Sequence, residues 1–381
     1  MSFRCFFEFP PARGFLTIVG AMLLSGCVVT GNNSFSEHYK NHVAFSKSEM
    51  FQMSERKFGR QSVPTQIYLP KKGQAPYPLI IHQHGSSRDG FEFESGIGHT
   101  DEHGTRLRRA ALENGYAFAV LDAFEGKGLS PSDKRKFPRA DQYVSQFRSK
   151  LLEKYPSLDR SNIFLTGFSY GADNAAMRQL LPPKDSAWKA IVAAEPGCNV
   201  SAEPTISIPY PLLILKGTES HYYPIACKLV VERHKKTGNP VDISLLDGGN
   251  HFFSLNGEIY FNGAAFNGCS KNPIFFDGRK LRHFDGTEIQ REDLTKCLTQ
   301  EGGKGKGREL LDDAIKQTIE FFEKHRTSKQ TTGWPSSSES AVTISSHLPH
   351  GWQLLARAMP EQARPEMVPM VMGVWSSMGS G

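Results

Sequence analysis

Short apolar runs alternate with amphipathic stretches through the middle of the chain. The apolar runs are rich in β-branched and aromatic residues, a composition typical of strands. The predicted strands are Val63–Leu69, Leu79–His84, Ala117–Asp122, Ile163–Thr166, Ala190–Ala194, Leu212–Lys216 and Val241–Leu246. The predicted helices are Thr105–Glu113, Asp141–Lys154, Asp173–Leu181, Ile225–Lys235 and Arg308–Lys324. Strands that are apolar throughout and separated by helices indicate an α/β fold, with a mostly parallel sheet covered by helices on both faces.

The two ends of the chain lack this pattern. An apolar run of ten residues, Phe15 to Leu24, follows two arginines, and its length suits a signal peptide rather than a bilayer span. The far end is rich in Ser, Thr, Pro and Met, which predicts a tail of low order. The resulting division is a signal peptide at 1–26, an N-terminal linker at 27–60, a folded domain at 61–326 and the tail at 327–381.

The end of the signal segment carries a second feature. The residues Leu24-Ser25-Gly26-Cys27 resemble the cleavage site of bacterial lipoproteins, in which the cysteine thiol carries a diacylglycerol. This resemblance implies an exported protein anchored in a membrane through Cys27. In such lipoproteins an aspartate after the cysteine favours retention in the inner membrane. This chain has Val28 there, which favours the outer membrane, with the protein facing the periplasm or the cell surface. The alternative is an ordinary secretory signal with an incidental cysteine.

Export changes how the cysteines are interpreted. Four cysteines remain besides Cys5 and Cys27, and an even number in an oxidising compartment predicts two disulfides. Of the three connectivities, we favour Cys198–Cys227 with Cys269–Cys297, since each pair is local in the predicted order of elements. A zinc site of four cysteines is less favoured, because the chain lacks the C-x₂-C spacing of such sites.

The strongest chemical signal is the pentapeptide Gly167-Phe168-Ser169-Tyr170-Gly171. It lies between a predicted strand and a helix-compatible stretch, where a sharp turn would expose the serine hydroxyl. The N–H of Tyr170 would then face the oxyanion that forms during acyl transfer. We expect the second donor to be the N–H of Ser86, in the turn that follows His84. A glycine-rich turn with an inert serine is the alternative.

These motifs together resemble the α/β-hydrolase superfamily, and within it the branch that includes dienelactone hydrolases. The resemblance covers roughly Val63 to Lys324. The residues that carry it are His84-Gly85, Leu121-Asp122-Ala123-Phe124, the serine turn, Pro196-Gly197-Cys198, Leu215-Lys216-Gly217 with Pro224, and Gly249-Asn250-His251-Phe252. It implies an α/β-hydrolase fold with the order serine, acid, histidine along the chain. Enzymes named for dienelactone use a cysteine nucleophile, so Ser169 favours general ester chemistry instead.

A serine nucleophile needs a base and an acid. His251 is the expected base, because it follows the last predicted strand in a loop that can carry it over the sheet edge. The family's aspartate falls at Ser220, so we expect the neighbouring Glu219 to be the acid. Glu195, just after the strand Ala190–Ala194, is the alternative acid. A structural histidine at 251 and a plain surface carboxylate at 219 are the competing interpretations.

Histidine pairs raise the alternative of a metal site. His82 and His84 would share one face of a strand, while His99 and His103 are four residues apart, and both spacings can bind zinc. Most pairs of this kind are not ligands, so we predict no metal and no other cofactor.

The connection from His251 to the last predicted helix is unusually long. Residues 252–307 hold Cys269, Cys297 and a stretch rich in glycine and lysine. We expect this insertion to form a flap near the active site, pinned by a disulfide. A surface excursion without a role in catalysis is the alternative.

The sequence therefore predicts a secreted, lipid-anchored serine hydrolase that cleaves carboxylic esters of small molecules through an acyl-enzyme. The absence of an aspartate at Ser220 leaves open a catalytically inactive hydrolase fold that acts as a binding or scaffold lipoprotein. A peptidase or a polyester hydrolase is a further alternative. The net charge of +6, without a long run of lysine or arginine, does not support nucleic-acid binding.

Overall fold

An eight-stranded sheet lies at the centre of the fold. The computed structural model describes residues 39–180, 188–202, 207–251, 267–276, 280–299 and 305–327. All elements named below belong to the unit 41–381. In this described part of the chain, no helix is both long enough and apolar enough to cross a membrane. The predicted signal peptide, Cys27 and almost all of the predicted tail lie outside the described residues.

The sheet is mostly parallel. The strands are β1 (Val43–Glu55), β2 (Gly59–Pro70), β3 (Tyr77–Gln83), β4 (Ala117–Leu121), β5 (Leu158–Phe168), β6 (Ala190–Ala194), β7 (Val200–Ala202), β8 (Leu212–Gly217), β9 (Val241–Leu246), β10 (Ile274–Phe276) and β11 (Leu281–His283). Eight of them form the main sheet in the order β1-β2-β4-β3-β5-β6-β8-β9. Strand β2 is antiparallel to both of its neighbours, and the remaining pairs are parallel. This arrangement confirms the predicted α/β fold class.

Helices cover both faces of the sheet. They are α1 (Glu102–Glu113), α2 (Ala140–Lys154), α3 (Pro224–Lys236) and α4 (Arg308–His325). Successive residues of a strand point to opposite faces, and β5 illustrates the result. The Phe164 ring lies 4.7 Å from Phe322 of α4, whereas Leu165 shares the other core layer with Phe147 of α2.

The predicted linker at 27–60 is wrong over residues 43–55, which form strand β1. Residues 43–55 pair along their length with β2 at the edge of the sheet. Within β1 only Val43, Met53 and Glu55 are buried. An edge strand with so little buried surface lacks the continuous apolar run by which the central strands were predicted.

A second, three-stranded sheet involves the predicted insertion 252–307. Strand β10 pairs in parallel with β7 and antiparallel with β11. The structure also joins Cys198 to Cys227 and Cys269 to Cys297, the two pairs expected from the sequence. Two disulfides are typical of a protein that folds in an oxidising, extracytoplasmic compartment. The start of the insertion, 252–266, lies outside the described residues.

Candidate active site

Ser169 lies on a sharp turn at the carboxyl end of β5. Its backbone has φ +50°, a left-handed conformation that non-glycine residues rarely adopt. The Ser169 N–H donates to the carbonyl of Ala194 at 2.9 Å, and its own carbonyl accepts the N–H of Asp173 at 2.9 Å. The turn thus connects the sheet directly to the helical residues 172–180 and leaves the half-buried serine side chain at the sheet edge.

Both glycines of the pentapeptide are required by close packing. A Cβ added at Gly171 would overlap the Gln83 carbonyl group and lie 2.9 Å from the His84 carbonyl oxygen. A Cβ at Gly167 would overlap the backbone of Gly171 and lie 2.8 Å from the Ala172 nitrogen. A side chain at Gly171 would push the turn away from the end of β3, and one at Gly167 would push the start of the helical segment away from β5, so the two glycines set the position of Ser169 above the sheet.

A continuous chain of hydrogen bonds joins Ser169 to a carboxylate. His251 Nε2 lies 2.9 Å from Ser169 Oγ, and His251 Nδ1 lies 3.1 Å from Glu195 Oε2. The three residues are 26 and 56 positions apart in sequence and meet because β5, β6 and β9 end at the same edge. Their arrangement has the geometry of a nucleophile, a base and an acid that orients the base.

The loop after β9 brings His251 to this edge. The carbonyl group of Gly249 lies very close to Gly217. A Cβ added at Gly217 would overlap that carbonyl group and lie 3.0 Å from the carbonyl oxygen of Asn250. The Asn250 N–H donates to the carbonyl of Lys306 at 2.7 Å, which fixes the loop from the other side. The imidazole of His251 is then enclosed by the rings of Phe168, His221 and Tyr222, at 5.6, 4.8 and 4.9 Å.

Enclosure affects the basicity of His251. Burial lowers the pKa of the imidazole below its ordinary value, although the hydrogen bond with Glu195 opposes this effect. The imidazole is therefore neutral at neutral pH and can accept a proton from Ser169.

Glu195 is fully buried just past the end of β6. Like Ser169, it has a left-handed backbone, with φ +59°. Oε1 accepts the Gly217 N–H, and Oε2 accepts from Lys216 Nζ at 2.8 Å and from Ser220 Oγ at 2.9 Å. Burial alone would raise the pKa of the carboxyl, but Lys216 and His251 outweigh it and hold the pKa below its ordinary value.

The structure does not bring Glu219, the acid expected first from the sequence, to His251. Among the described residues, no hydrogen bond joins the two side chains. Glu219 is exposed, and its N–H donates to the carbonyl of Gly249 at 2.8 Å. Glu195, the alternative acid, occupies the position against Nδ1 instead. Ser220, at the position of the family's aspartate, contributes a hydroxyl to that carboxylate.

The two expected oxyanion donors lie in the serine turn itself and in the turn after β3. Tyr170 begins the helical segment, and N–H groups in a first helical turn have no acceptor within their helix. Ser86 is half-buried in the turn after β3. This turn is held by His84, whose Nδ1 lies 2.7 Å from the Gly85 carbonyl oxygen and whose Nε2 accepts the Ala123 N–H at 3.0 Å. The Gly85 N–H in turn donates to Asp101.

Two of the histidines considered as metal ligands, His82 and His103, lie against each other. His82 Nε2 lies 2.8 Å from Asp101 Oδ1, and its ring stacks on His103 at 5.3 Å. His99, Asp122 and Glu125 offer ligand-type atoms within 4.8 Å of one another. Arg88 Nη1, however, already lies between the two carboxylates, at 2.7 and 3.3 Å. The guanidinium supplies the cation that this acidic group would otherwise attract.

Two residues of the site were missed in the sequence. The first is Lys216, which the sequence places at the end of a predicted apolar strand. A lysine in that position indicates a buried ion pair, because a buried ammonium needs a partner. The second missed residue is Asp101, which lies between His99 and His103 in the sequence and belongs to no motif. Its carboxylate caps α1 through the Gly104 N–H at 2.7 Å while it holds the Gly85 turn. No spacing in the sequence reveals that second contact.

Comparison with known proteins adds distant likenesses only. No family model matches the chain, and no curated protein matches it significantly. A Klebsiella pneumoniae structure described as a dienelactone hydrolase is 16% identical with a TM-score of 0.41, over 55% of this chain and 88% of that one. An esterase from Pyrobaculum calidifontis is 17% identical with a TM-score of 0.43, over 58% and 81%.

An acylaminoacyl peptidase from Pyrococcus horikoshii gives a similar result. It is 15% identical with a TM-score of 0.42, and the alignment covers 58% of this chain but only 40% of the peptidase. The assignment of the fold therefore depends on the strand order described above.

Proposed function

We propose that the protein is a serine hydrolase that cleaves carboxylic ester bonds through an acyl-enzyme. The observation that carries the proposal is the hydrogen-bond chain from Ser169 Oγ through His251 to Glu195, with links of 2.9 and 3.1 Å. The left-handed turn at Ser169 supports the same role, because it presents the hydroxyl at the sheet edge.

In the proposed reaction, Ser169 Oγ attacks the ester carbonyl carbon while His251 Nε2 takes the hydroxyl proton. Glu195 stabilises the imidazolium through Nδ1, and the N–H groups of Tyr170 and Ser86 bind the oxyanion. The imidazolium then gives its proton to the departing alkoxide, which leaves as the alcohol. A water then loses a proton to His251 and attacks the acyl carbon, the bond to Ser169 Oγ breaks, and the imidazolium returns the proton to Ser169 as the acid is released.

The substrate we propose is a small-molecule ester, and the location is the outer membrane. The two disulfides support export. The anchor would be a diacylglycerol on Cys27, as the lipoprotein-like signal implies.

We propose in addition that 252–307 forms a flap over the site. In support, Asn267 accepts the Tyr223 N–H at 3.0 Å and donates to the His221 carbonyl at 2.6 Å, beside the rings that enclose His251.

A fluorophosphonate probe tests the catalytic proposal, because it reacts covalently with an activated serine. We expect the full chain to be labelled, and Ser169→Ala to lose labelling while keeping its thermal unfolding profile. A nearby exposed serine, Ser87, provides the matched control as Ser87→Ala. An unlabelled but folded protein would support the binding or scaffold alternative. That alternative arises from the serine at position 220, where the family has an aspartate, and Glu195 offers a carboxylate just past β6 in its place.

A further inference from the structure

A lysine lies fully buried beside the carboxylate of Glu195. Lys216 Nζ donates to Glu195 Oε2 at 2.8 Å, to the Pro196 carbonyl at 3.0 Å and to Ser220 Oγ at 3.2 Å. An ammonium has three N–H donors, so all of them have acceptors. Burying a charge is costly unless it is paired and hydrogen-bonded, and this site pairs the lysine completely.

Lys216 and its neighbour Ser220 both donate to the Glu195 oxygen that faces His251. Oε2 of Glu195 lies 3.1 Å from His251 Nδ1 and also accepts from Lys216 and Ser220. The backbone of Glu195 is left-handed, a conformation that costs energy and persists only when the surroundings impose it. The Lys216 ammonium donates to the Glu195 carboxylate and to the carbonyl of the next residue, Pro196. These two hydrogen bonds hold the strained turn at two points.

We propose that Lys216 is a positioning residue, which keeps Glu195 as a carboxylate and holds it against His251. This inference rests on the proposed function, since it assigns a role within the same chain of hydrogen bonds. Lys216 does not touch the reacting atoms and acts through Glu195. Ser220 donates to the same oxygen of Glu195 and so helps Lys216 to hold the carboxylate. The residue at the family's aspartate position is therefore a hydrogen-bond donor to the acid rather than the acid itself.

The electrostatic effect of removing Lys216 has a definite sign. Without the ammonium, burial would favour the protonated form of Glu195. The imidazole would lose a nearby positive charge, which would favour the protonated form of His251. Both changes move the acid limb of the activity profile to higher pH. The other titratable groups that face the pair are Lys134, Asp173, His221 and Tyr222. Among the described residues, the partners of the Glu195 carboxylate are Lys216, Gly217, Ser220 and His251.

Lys216→Met tests the proposal through the pH dependence of fluorophosphonate labelling. We expect the acid limb of the labelling rate to move up by about one pH unit and the plateau to fall about tenfold. Leu215→Met, at the neighbouring buried position of β8, is the matched control and should stay within about twofold. A purely structural role would reduce the folded fraction at every pH without moving the limb, and that result would overturn the proposal.

A double-mutant cycle shows whether Lys216 acts through Glu195. In a Glu195→Gln background, we expect Lys216→Met to change the labelling rate by less than about threefold. An equal effect in both backgrounds would contradict the inference. If Lys216→Met fails to fold, Ser220→Ala removes one donor to the same oxygen and should shift the limb in the same direction; an unshifted limb overturns the proposal. If the unmodified chain is not labelled at Ser169, the proposed function itself fails.

Discussion

Replacing Glu195 with glutamine separates the two candidate acids. The change keeps the shape of the side chain but removes the charge 3.1 Å from His251 Nδ1. Neutralising the acid of a serine-histidine-acid triad lowers kcat by roughly 10⁴-fold, or about 5.4 kcal/mol of transition-state stabilisation. We therefore expect kcat/KM to fall by at least about 10³-fold.

The assay is the hydrolysis of a nitrophenyl ester series by the full chain. KM should change little, because the acid does not touch the substrate. Glu219→Gln is the matched control, since the same chemical change at an exposed side chain should alter kcat/KM by less than about twofold. Thermal unfolding must accompany both, because an unpaired buried Lys216 costs about 3–5 kcal/mol. The reasoning is refuted if folded Glu195→Gln keeps more than a tenth of the activity while Glu219→Gln loses it.

Three further predictions concern the turn, the base and the disulfide. Gly171→Ala should lower the free energy of unfolding by about 1–3 kcal/mol and slow labelling, because its Cβ would overlap the Gln83 carbonyl; unchanged urea unfolding would contradict this. The labelling rate should be half-maximal below pH 6.5, since burial depresses the pKa of His251 and keeps the base neutral in mild acid; a midpoint above 7 would refute it. Changing both Cys198 and Cys227 to serine should cost about 3–4 kcal/mol for a separation of 29 residues, and an unchanged unfolding midpoint would refute that estimate.

The central strands could be predicted because burial on both faces makes them apolar throughout. Residues such as Ile163 and Leu165 leave no doubt about the strand that leads to Ser169. Strand β1 could not be predicted in this way, since it lies at the edge and exposes many of its side chains. The short strands β7, β10 and β11 were missed for a related reason. Each has three residues, and it is their pairing with one another that defines them.

The proposed nucleophile and base could be picked out in the sequence because each is marked by its own local sequence. The serine turn needs glycines on both sides, and the histidine follows the last strand of the sheet after the short loop 247–250. The proposed acid is different, since its identity depends on which of two loops reaches His251 Nδ1. Strands β6 and β8 are neighbours, with Ala194 opposite Leu215. Neighbouring strands are about 4.8 Å apart, so a carboxylate that follows either strand can approach the same imidazole.

What decides between the two loops is backbone conformation. The left-handed turn at Glu195 directs its side chain across the end of β8, where Gly217, Lys216 and Ser220 donate to it. The Glu219 N–H is held by the Gly249 carbonyl, and its side chain remains exposed. A carboxylate placed as deeply as Glu195 needs a buried cation to stay ionised, whereas one at Ser220 would compete with it for Lys216. Lys216, Ser220 and Glu195, just past the end of β6, therefore form one interdependent arrangement, and a change in any one of them should alter the basicity of His251.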